Sequence, residues 1–279
     1  DNMRGIVTGG DDPYLYWNTT AAEVAGNALE VTSTGFQLKS SSSAFNGSSA
    51  TYIYMAIRRG PLAAPEDATK VFAVAARTGA SGGLGAYRSG FPVDMAFHKV
   101  VTSSANAYEI GSRLIQGKSM NTNDNSAEVT QSDQQYDYMD GWNTETSASS
   151  SKYSWMWKRA PSYFDVVAYT SNTTYPNTFS HNLGVVPEMI WIKRRDSSAS
   201  WAVYHSALGN TKHLTLNSSA AESASSYWNN TTPTASVVTV GGQDETWGYG
   251  NYNYIAYLFA TVAGVSKVGS YTGNDTGQN

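Results

Sequence analysis

Short apolar runs recur along this chain, each bounded by Gly, Ser, Asn or Thr, and no long segment with a helical period interrupts them. Apolar runs of about 4–8 residues with such borders are the pattern of β-strands. They predict strands at Tyr52–Ile57, Lys70–Ala75, Pro92–Phe97, Tyr153–Trp157, Phe164–Tyr169, Met189–Lys193, Trp201–Tyr204, His213–Leu216, Ser236–Val240, Tyr254–Phe259 and Val265–Tyr271. Tyr52–Ile57 and Tyr254–Phe259 are apolar throughout, which predicts central strands covered on both faces. Ser236–Val240 and His213–Leu216 alternate more, as half-buried strands do. Gly82-Gly83, Gly241-Gly242 and the serine-rich stretches 40–43 and 147–151 mark turns. The Ala-Ala pairs at 21–22 and 220–221 leave room for one helical turn each.

The runs are also periodic. Tyr52-Ile-Tyr-Met-Ala-Ile-Arg58, Tyr153-Ser-Trp-Met-Trp-Lys-Arg159 and Tyr254-Ile-Ala-Tyr-Leu-Phe-Ala260 are versions of one segment at equal intervals. Asn18-Thr-Thr-Ala-Ala-Glu23 returns as Asn123-Asp-Asn-Ser-Ala-Glu128 and Asn217-Ser-Ser-Ala-Ala-Glu222. Phe91-Pro-Val-Asp-Met95 matches Val186-Pro-Glu-Met189, and Val74-Ala-Ala-Arg-Thr78 matches Val167-Ala-Tyr-Thr170 and Gly269-Ser-Tyr-Thr272. A fixed period of this size signals a tandem array. The expected fold is all-β: tandem antiparallel β-sandwich repeats, jelly-roll or immunoglobulin-like in size, of about 100 residues each. The phase divides the chain into 1–70, the back half of a first unit; 71–163, a second; 164–263, a third; and 264–279, the opening strand of a further unit or a donated strand. By this reading the chain begins and ends in mid-repeat.

Composition narrows the function classes. A net charge of −4 offers no electrostatic footprint for nucleic acid. No apolar run is long enough to span a membrane as a helix. The absence of cysteine excludes a disulfide framework and thiol-ligated metals. Charged residues make up only 14% of the chain while Tyr and Trp are abundant, a balance that suits sheets and aromatic contact surfaces.

Several clusters are candidates for chemistry. Trp247-Gly-Tyr249-Gly-Asn-Tyr252-Asn-Tyr254 either presents aromatic faces to a sugar ring or partner, or caps a core. Arg58-Arg59 and Lys158-Arg159 follow equivalent strands, and Lys193-Arg194-Arg195 ends another. Such cations hold an anionic polysaccharide or a neighbouring subunit, or stand as solvated strand ends that discourage edge pairing. The candidate binding residues are therefore Trp247, Tyr249, Tyr252, Arg58, Arg59, Lys158 and Arg159. Asp133, Asp137 and Asp140 offer carboxylates for glycoside hydrolysis or, with Asp124, for calcium. Their spacing matches no calcium loop, and a polar turn is the alternative. His98, His181, His205 and His213 are scattered, and only His205 and His213 lie within reach of one hairpin. No nucleophile elbow appears, and Ser81-Gly-Gly-Leu-Gly-Ala86 lacks the Lys-Ser/Thr of a phosphate loop. The sequence predicts no enzyme activity, no cofactor and no metal.

Some phrases carry a family likeness. Trp201-Ala-Val-Tyr-His205, His213-Leu-Thr-Leu-Asn-Ser-Ser-Ala-Ala-Glu222, Asn253-Tyr-Ile-Ala-Tyr-Leu-Phe-Ala260 and Lys267-Val-Gly-Ser-Tyr-Thr-Gly-Asn274 resemble repeats in large structural, tail-fibre-like proteins of tailed bacteriophages of the marine type. Asp1-Asn-Met-Arg-Gly-Ile6 and Tyr14-Leu-Tyr-Trp-Asn-Thr-Thr-Ala-Ala-Glu23 are similar to the same repeat, without the Trp-x-x-x-Asp strand that precedes it there. The likeness is strongest over 1–60 and 153–274 and weakest over 79–150. It implies a non-enzymatic virion structural protein on the particle surface, a segment of a tail fibre or appendage. Its partners would be copies of itself, as a homo-oligomer such as a trimer, and other virion proteins, with host surface polysaccharide as a contact. The competing reading is a carbohydrate-binding adhesin module; a polysaccharide depolymerase is a third class.

Overall fold

The computed structural model describes residues 13–16, 18–22, 24–25, 28–31, 36–56, 63–78, 85–102, 108–144 and 152–273. The chain is almost entirely β, and its sheets are antiparallel. Ahead of residue 57 there are two small ribbons, β1 (Pro13–Tyr14) with β2 (Val24–Ala25), and β3 (Leu29–Val31) with β4 (Phe36–Leu38). One helical turn, α1 (Ser43–Asn46), follows, and the Ser42 hydroxyl accepts the Ala44 N–H as its N-cap. Beyond these lie two six-stranded sheets.

The first sheet is built from β5 (Phe72–Ala76), β6 (Met95–Val100), β7 (Glu109–Ser112), β8 (Lys118–Asn121), β9 (Val129–Thr130) and β10 (Lys152–Trp157). Its spatial order is β5-β10-β6-β7-β8-β9. The second uses β11 (Phe164–Thr170), β13 (Met189–Arg194), β14 (Ala202–His205), β15 (Lys212–Thr215), β16 (Ser223–Ala224) and β18 (Asn253–Phe259), in the order β11-β18-β13-β14-β15-β16. A separate ribbon pairs β12 (Asn177–Ser180) with β17 (Val237–Val240). In each sheet four strands meander outward, and the last strand returns to lie between the first two. The strand order is the same in both.

Pairing fixes the equivalences residue by residue. Trp157 lies opposite Met95 in the first sheet, as Phe259 lies opposite Met189 in the second. Val74, Trp155, Phe97, Ile110 and Met120 form one row across the first sheet. Val166, Tyr257, Trp191, Val203 and Leu214 form the matching row across the second. Tyr153 therefore corresponds to Ile255, not to Tyr254. Tyr153 and Tyr254 lie in equivalent strands but one residue out of register, and a one-residue slip turns a side chain to the opposite face. Tyr254 is fully buried with its hydroxyl donating to the Asp244 carbonyl at 2.9 Å, whereas Tyr153 is exposed.

These two matching rows face each other. One apolar cluster contains Met95, Ile110 and Met120 of the first sheet and Leu114 and Ile115 of its β7–β8 turn, with Phe164, Val166, Trp201, Ile255 and Tyr257 from the second stretch. The outward faces have separate covers. Ala96 and Met156 lie beneath Tyr87, Tyr136 and Trp142, whose rings stack at 5.5 and 5.2 Å. Those rings come from irregular segments clipped together by bridges such as Tyr87 to Trp142. The clip requires Gly141, which has φ of +87° and stands so close to the Tyr87 carbonyl that a Cβ would overlap it. In the second stretch Ile190, Ile192, Ala256 and Leu258 pack under Phe179, Val238 and Val240 of the β12–β17 ribbon, with Trp228 and Trp247.

Two expected strands take another form. Residues 52–56 pair with no strand among the described residues, and Ile53 and Tyr54 are 98% and 76% exposed. The described strands ahead of them are short ribbons closed on themselves, so no neighbour offers the ladder that β10 and β18 find between their first and second strands. Val265–Tyr271 is not a strand either. Gly264, at φ of +75°, folds the chain back so that Val262 and Ser266 exchange N–H···O bonds and the Ser266 hydroxyl donates to the Ala260 carbonyl. The Ala-Ala pairs make no helix; short strands β2 and β16 lie just after them. No helix among the described residues is long and apolar enough to cross a membrane.

The register yields a direct expectation. Tyr254→Ala should cost on the order of 3–5 kcal/mol by emptying a filled core site, and Tyr153→Ala less than about 1 kcal/mol. Urea unfolding of the two variants checks this; equal costs would restore the tyrosine-to-tyrosine equivalence.

Candidate binding cleft between the sheets

The facing rows do not close evenly. On one side the seam is sealed by β14, β13 and the loop after β8. The Trp201 indole N–H donates to the Asn121 carbonyl at 2.8 Å, and the Ala199 N–H donates to the Asn125 carbonyl at 3.0 Å. Arg195 holds Glu128 through two bonds, Nε to Oε2 at 2.7 Å and Nη2 to Oε1 at 3.3 Å, a charge-assisted fork. The Lys193 ammonium is buried against the Asn125 and Arg194 carbonyls. Burial lowers its pKa to about 8.

On the other side the seam gapes into a cleft of about 370 Å³. One wall is Phe97, Tyr108, Thr122 and Trp155, and the other is Trp191 and Leu216. Phe97 and Trp155 stack at 5.2 Å with 26° between their planes, and Tyr108 meets Phe97 edge-on at 5.9 Å. The Lys99 ammonium lies 4.2 Å from the centre of the Tyr108 ring. The Thr122 N–H donates to the Tyr108 carbonyl just as Leu216 donates to that of Trp201, so Tyr108 and Trp201 hold the same place in the two sheets. Thr122 and Leu216 are thus equivalent, as are Phe97 and Trp191: like positions face each other across the opening.

The residues singled out from the sequence lie elsewhere and do not converge. Trp247 belongs to the core, its indole N–H donating to the Asn172 carbonyl at 2.9 Å. Tyr249 stands 72% exposed with Trp247 edge-on beside it. Tyr252 is half-buried beneath the Arg194 guanidinium, 3.7 Å from its ring centre. Arg58 and Arg59 lie outside the described residues. Arg159 is no solvated strand end: its Nε donates to Asp165 at 2.6 Å and its backbone N–H to Asp94 at 2.7 Å. This ties the start of β11 to the turn before β6. The Lys158 N–H donates to the Val71 carbonyl, and its side chain is half-buried. Arg194 and Arg195 are likewise engaged, by Asp196 and Glu128.

Two of the carboxylates considered for hydrolysis or calcium serve turns. Asp140 accepts the N–H groups of Ser89 and Gly90, and Asp124 accepts that of Ser126 and the amide of Asn121. Among the described residues no group of three His, Asp or Glu side chains is placed to hold a metal. His181 accepts the Leu183 N–H at Nδ1 and so donates from Nε2 to the Thr234 carbonyl, a neutral tautomer fixed by the backbone. His213 lies against Tyr227, 4.1 Å between ring centres. The cleft residues escaped notice because they come from six separated segments. The period-two alternation of Tyr153, Trp155 and Trp157 was the available signal.

His98 provides a pH test of the packing. It is buried beside Tyr87 and Trp142, and desolvation lowers its pKa to about 4 despite Glu109 at 3.9 Å. Between its unfolded value of 6.5 and about 4 the unfolded chain binds a proton that the folded chain refuses, so stability should fall as pH falls through that window. An NMR titration of the His98 ring should place its midpoint near 4; one at 6 or above would mean that the ring is not sealed.

Comparison with known proteins brings a family match. Residues 67–279 fit the model of a domain of unknown function, DUF7483, which starts just before β5 and so takes in both six-stranded sheets. No curated protein and no solved structure matches. The chain belongs to the DUF7483 family.

Proposed function

We propose that this chain is a non-enzymatic structural protein of a bacteriophage particle, a segment of a tail fibre or surface appendage. The observation that carries the reading is the succession of two sheets with one strand order, fused through a common apolar layer. Repeated units joined this way resist bending, because displacing one sheet exposes the aromatic rows of both. The likeness of its phrases to phage structural repeats supplies the setting. On this reading each unit is a β-sandwich of jelly-roll or immunoglobulin size, strung in tandem, with residues 1–70 as part of a preceding unit. The protein assembles with copies of itself as a homo-oligomer, a trimer in the fibre setting, and with other virion proteins. Its place is the outside of the particle.

The carbohydrate-binding adhesin reading is favoured by a different observation, the open aromatic cleft between the sheets. The two readings are compatible, since an appendage that reaches a host surface has reason to hold its glycans.

Immunogold labelling with antibodies to this chain should decorate an appendage of purified phage particles. A chain abundant in the infected lysate yet missing from purified particles would overturn the structural role.

A further inference from the structure

We propose that the cleft between the sheets is a binding site for a single pyranose ring of a surface saccharide, open where a duplicated interface lacks the latches of its other side. The proposal rests on the adhesin reading and assigns it a location.

The seam's two sides are built from equivalent residues, so the sealed side shows what the open side lacks. Arg195 corresponds to Val101, and Glu128 to Glu222. Val101 cannot hold a carboxylate, and Glu222 instead pairs with Lys212 of its own sheet at 3.1 Å. Lys193, buried on the Asn125 carbonyl of the opposite loop, corresponds to Lys99, which lies over Tyr108. The loop 121–128 covers Trp201 and Tyr257, both fully buried, whereas the equivalent loop 215–222 leaves Tyr108 38% exposed and Trp155 half-buried. Val101 thus has no counterpart of the Arg195 clamp, Tyr108 lacks the indole N–H with which Trp201 holds Asn121, and the aromatic row behind them is partly exposed.

The chemistry of the walls selects the ligand. The volume falls at the lower end of small-ligand clefts, about 300–1,000 Å³. Phe97 and Trp155, stacked on each other, line one wall with apolar ring surface, faced by Trp191 and Leu216. Tyr108 and Thr122 bring polar side chains to the lining, and the Lys99 ammonium lies against the Tyr108 ring. The Thr122 hydroxyl makes only a long 3.4 Å bond to the Tyr108 carbonyl and can exchange it for a ligand oxygen. A pyranose has the matching form, with an apolar C–H face for the aromatic walls and hydroxyls around its edge. An acyl chain fits poorly, because the cleft is open and would leave the chain wet beside a cation.

The test is an NMR titration of the folded protein with methyl glycosides of glucose, galactose, mannose, rhamnose and N-acetylglucosamine. At least one should shift the indole resonances of Trp155 and Trp191 saturably. Trp155→Ala should weaken that binding about tenfold or more, in line with the worth of an aromatic contact. Val101→Arg, which restores the latch from an exposed position, should weaken it comparably while leaving both tryptophans in place. Val101→Leu should bind as the parent does. No shift with any glycoside, or binding that survives both Trp155→Ala and Val101→Arg, overturns the proposal. Saccharide binding that is lost instead in Tyr249→Ala keeps the adhesin reading and rejects this site. Concentration-dependent shifts of the same indoles without sugar would assign the cleft to a second protein chain and likewise reject it.

Discussion

The apolar layer between the two sheets is the constraint on which the rest of the structure depends. Each sheet is one strand thick and apolar on both faces, so each needs two covers. The outward covers are local: a stack of Tyr87, Trp142 and Tyr136 on one sheet, and the β12–β17 ribbon with Trp228 on the other. Neither stretch supplies a second cover for itself. The inward faces bury Met95, Ile110, Val166, Ile255 and Tyr257 only because the two sheets meet. Burial of side chains this large contributes about 1.5–3 kcal/mol each, enough for a handful of them to decide whether either half is ordered.

The same layer explains the position of the charged groups. Arg159 with Asp165 and Asp94, Arg195 with Glu128, and Lys193 with the Asn125 carbonyl all stand at its borders and join segments far apart in sequence. A partly buried cation must be paired to offset its desolvation, so these contacts fix how the sheets are set against each other. Where Val101 stands in the place of Arg195, the pairing ends and the seam opens. An interface of like faces thus becomes unlike on its two sides through a change of side-chain type and not of strand order.

Much of the β architecture was legible in the chain. Short apolar runs located β5, β6, β10, β11, β13, β14, β15, β17 and β18 to within a few residues, because a strand covered on both faces must be apolar along its length. Glu109–Ser112, Lys118–Asn121 and Asn177–Ser180 were not legible, since their polar residues are satisfied by neighbours that sequence does not reveal. The tyrosine spacing identified equivalent strands but misled on register, because loop lengths differ by a residue between stretches. Tyr52–Ile57 has the right composition for a central strand, yet composition supplies no partner strands. Of the candidate site, the aromatic richness of Tyr153–Trp157 was visible. The meeting of Trp155 with Trp191 and Leu216 depends on how two sheets pack, and no local pattern encodes that.

Differential scanning calorimetry tests the shared layer most directly. If both sheets depend on one core, the chain should unfold in a single main transition across residues 67–273, with calorimetric and van't Hoff enthalpies in agreement. Two well-separated transitions of similar size would mean that each sheet is stable without the other, and would contradict the account.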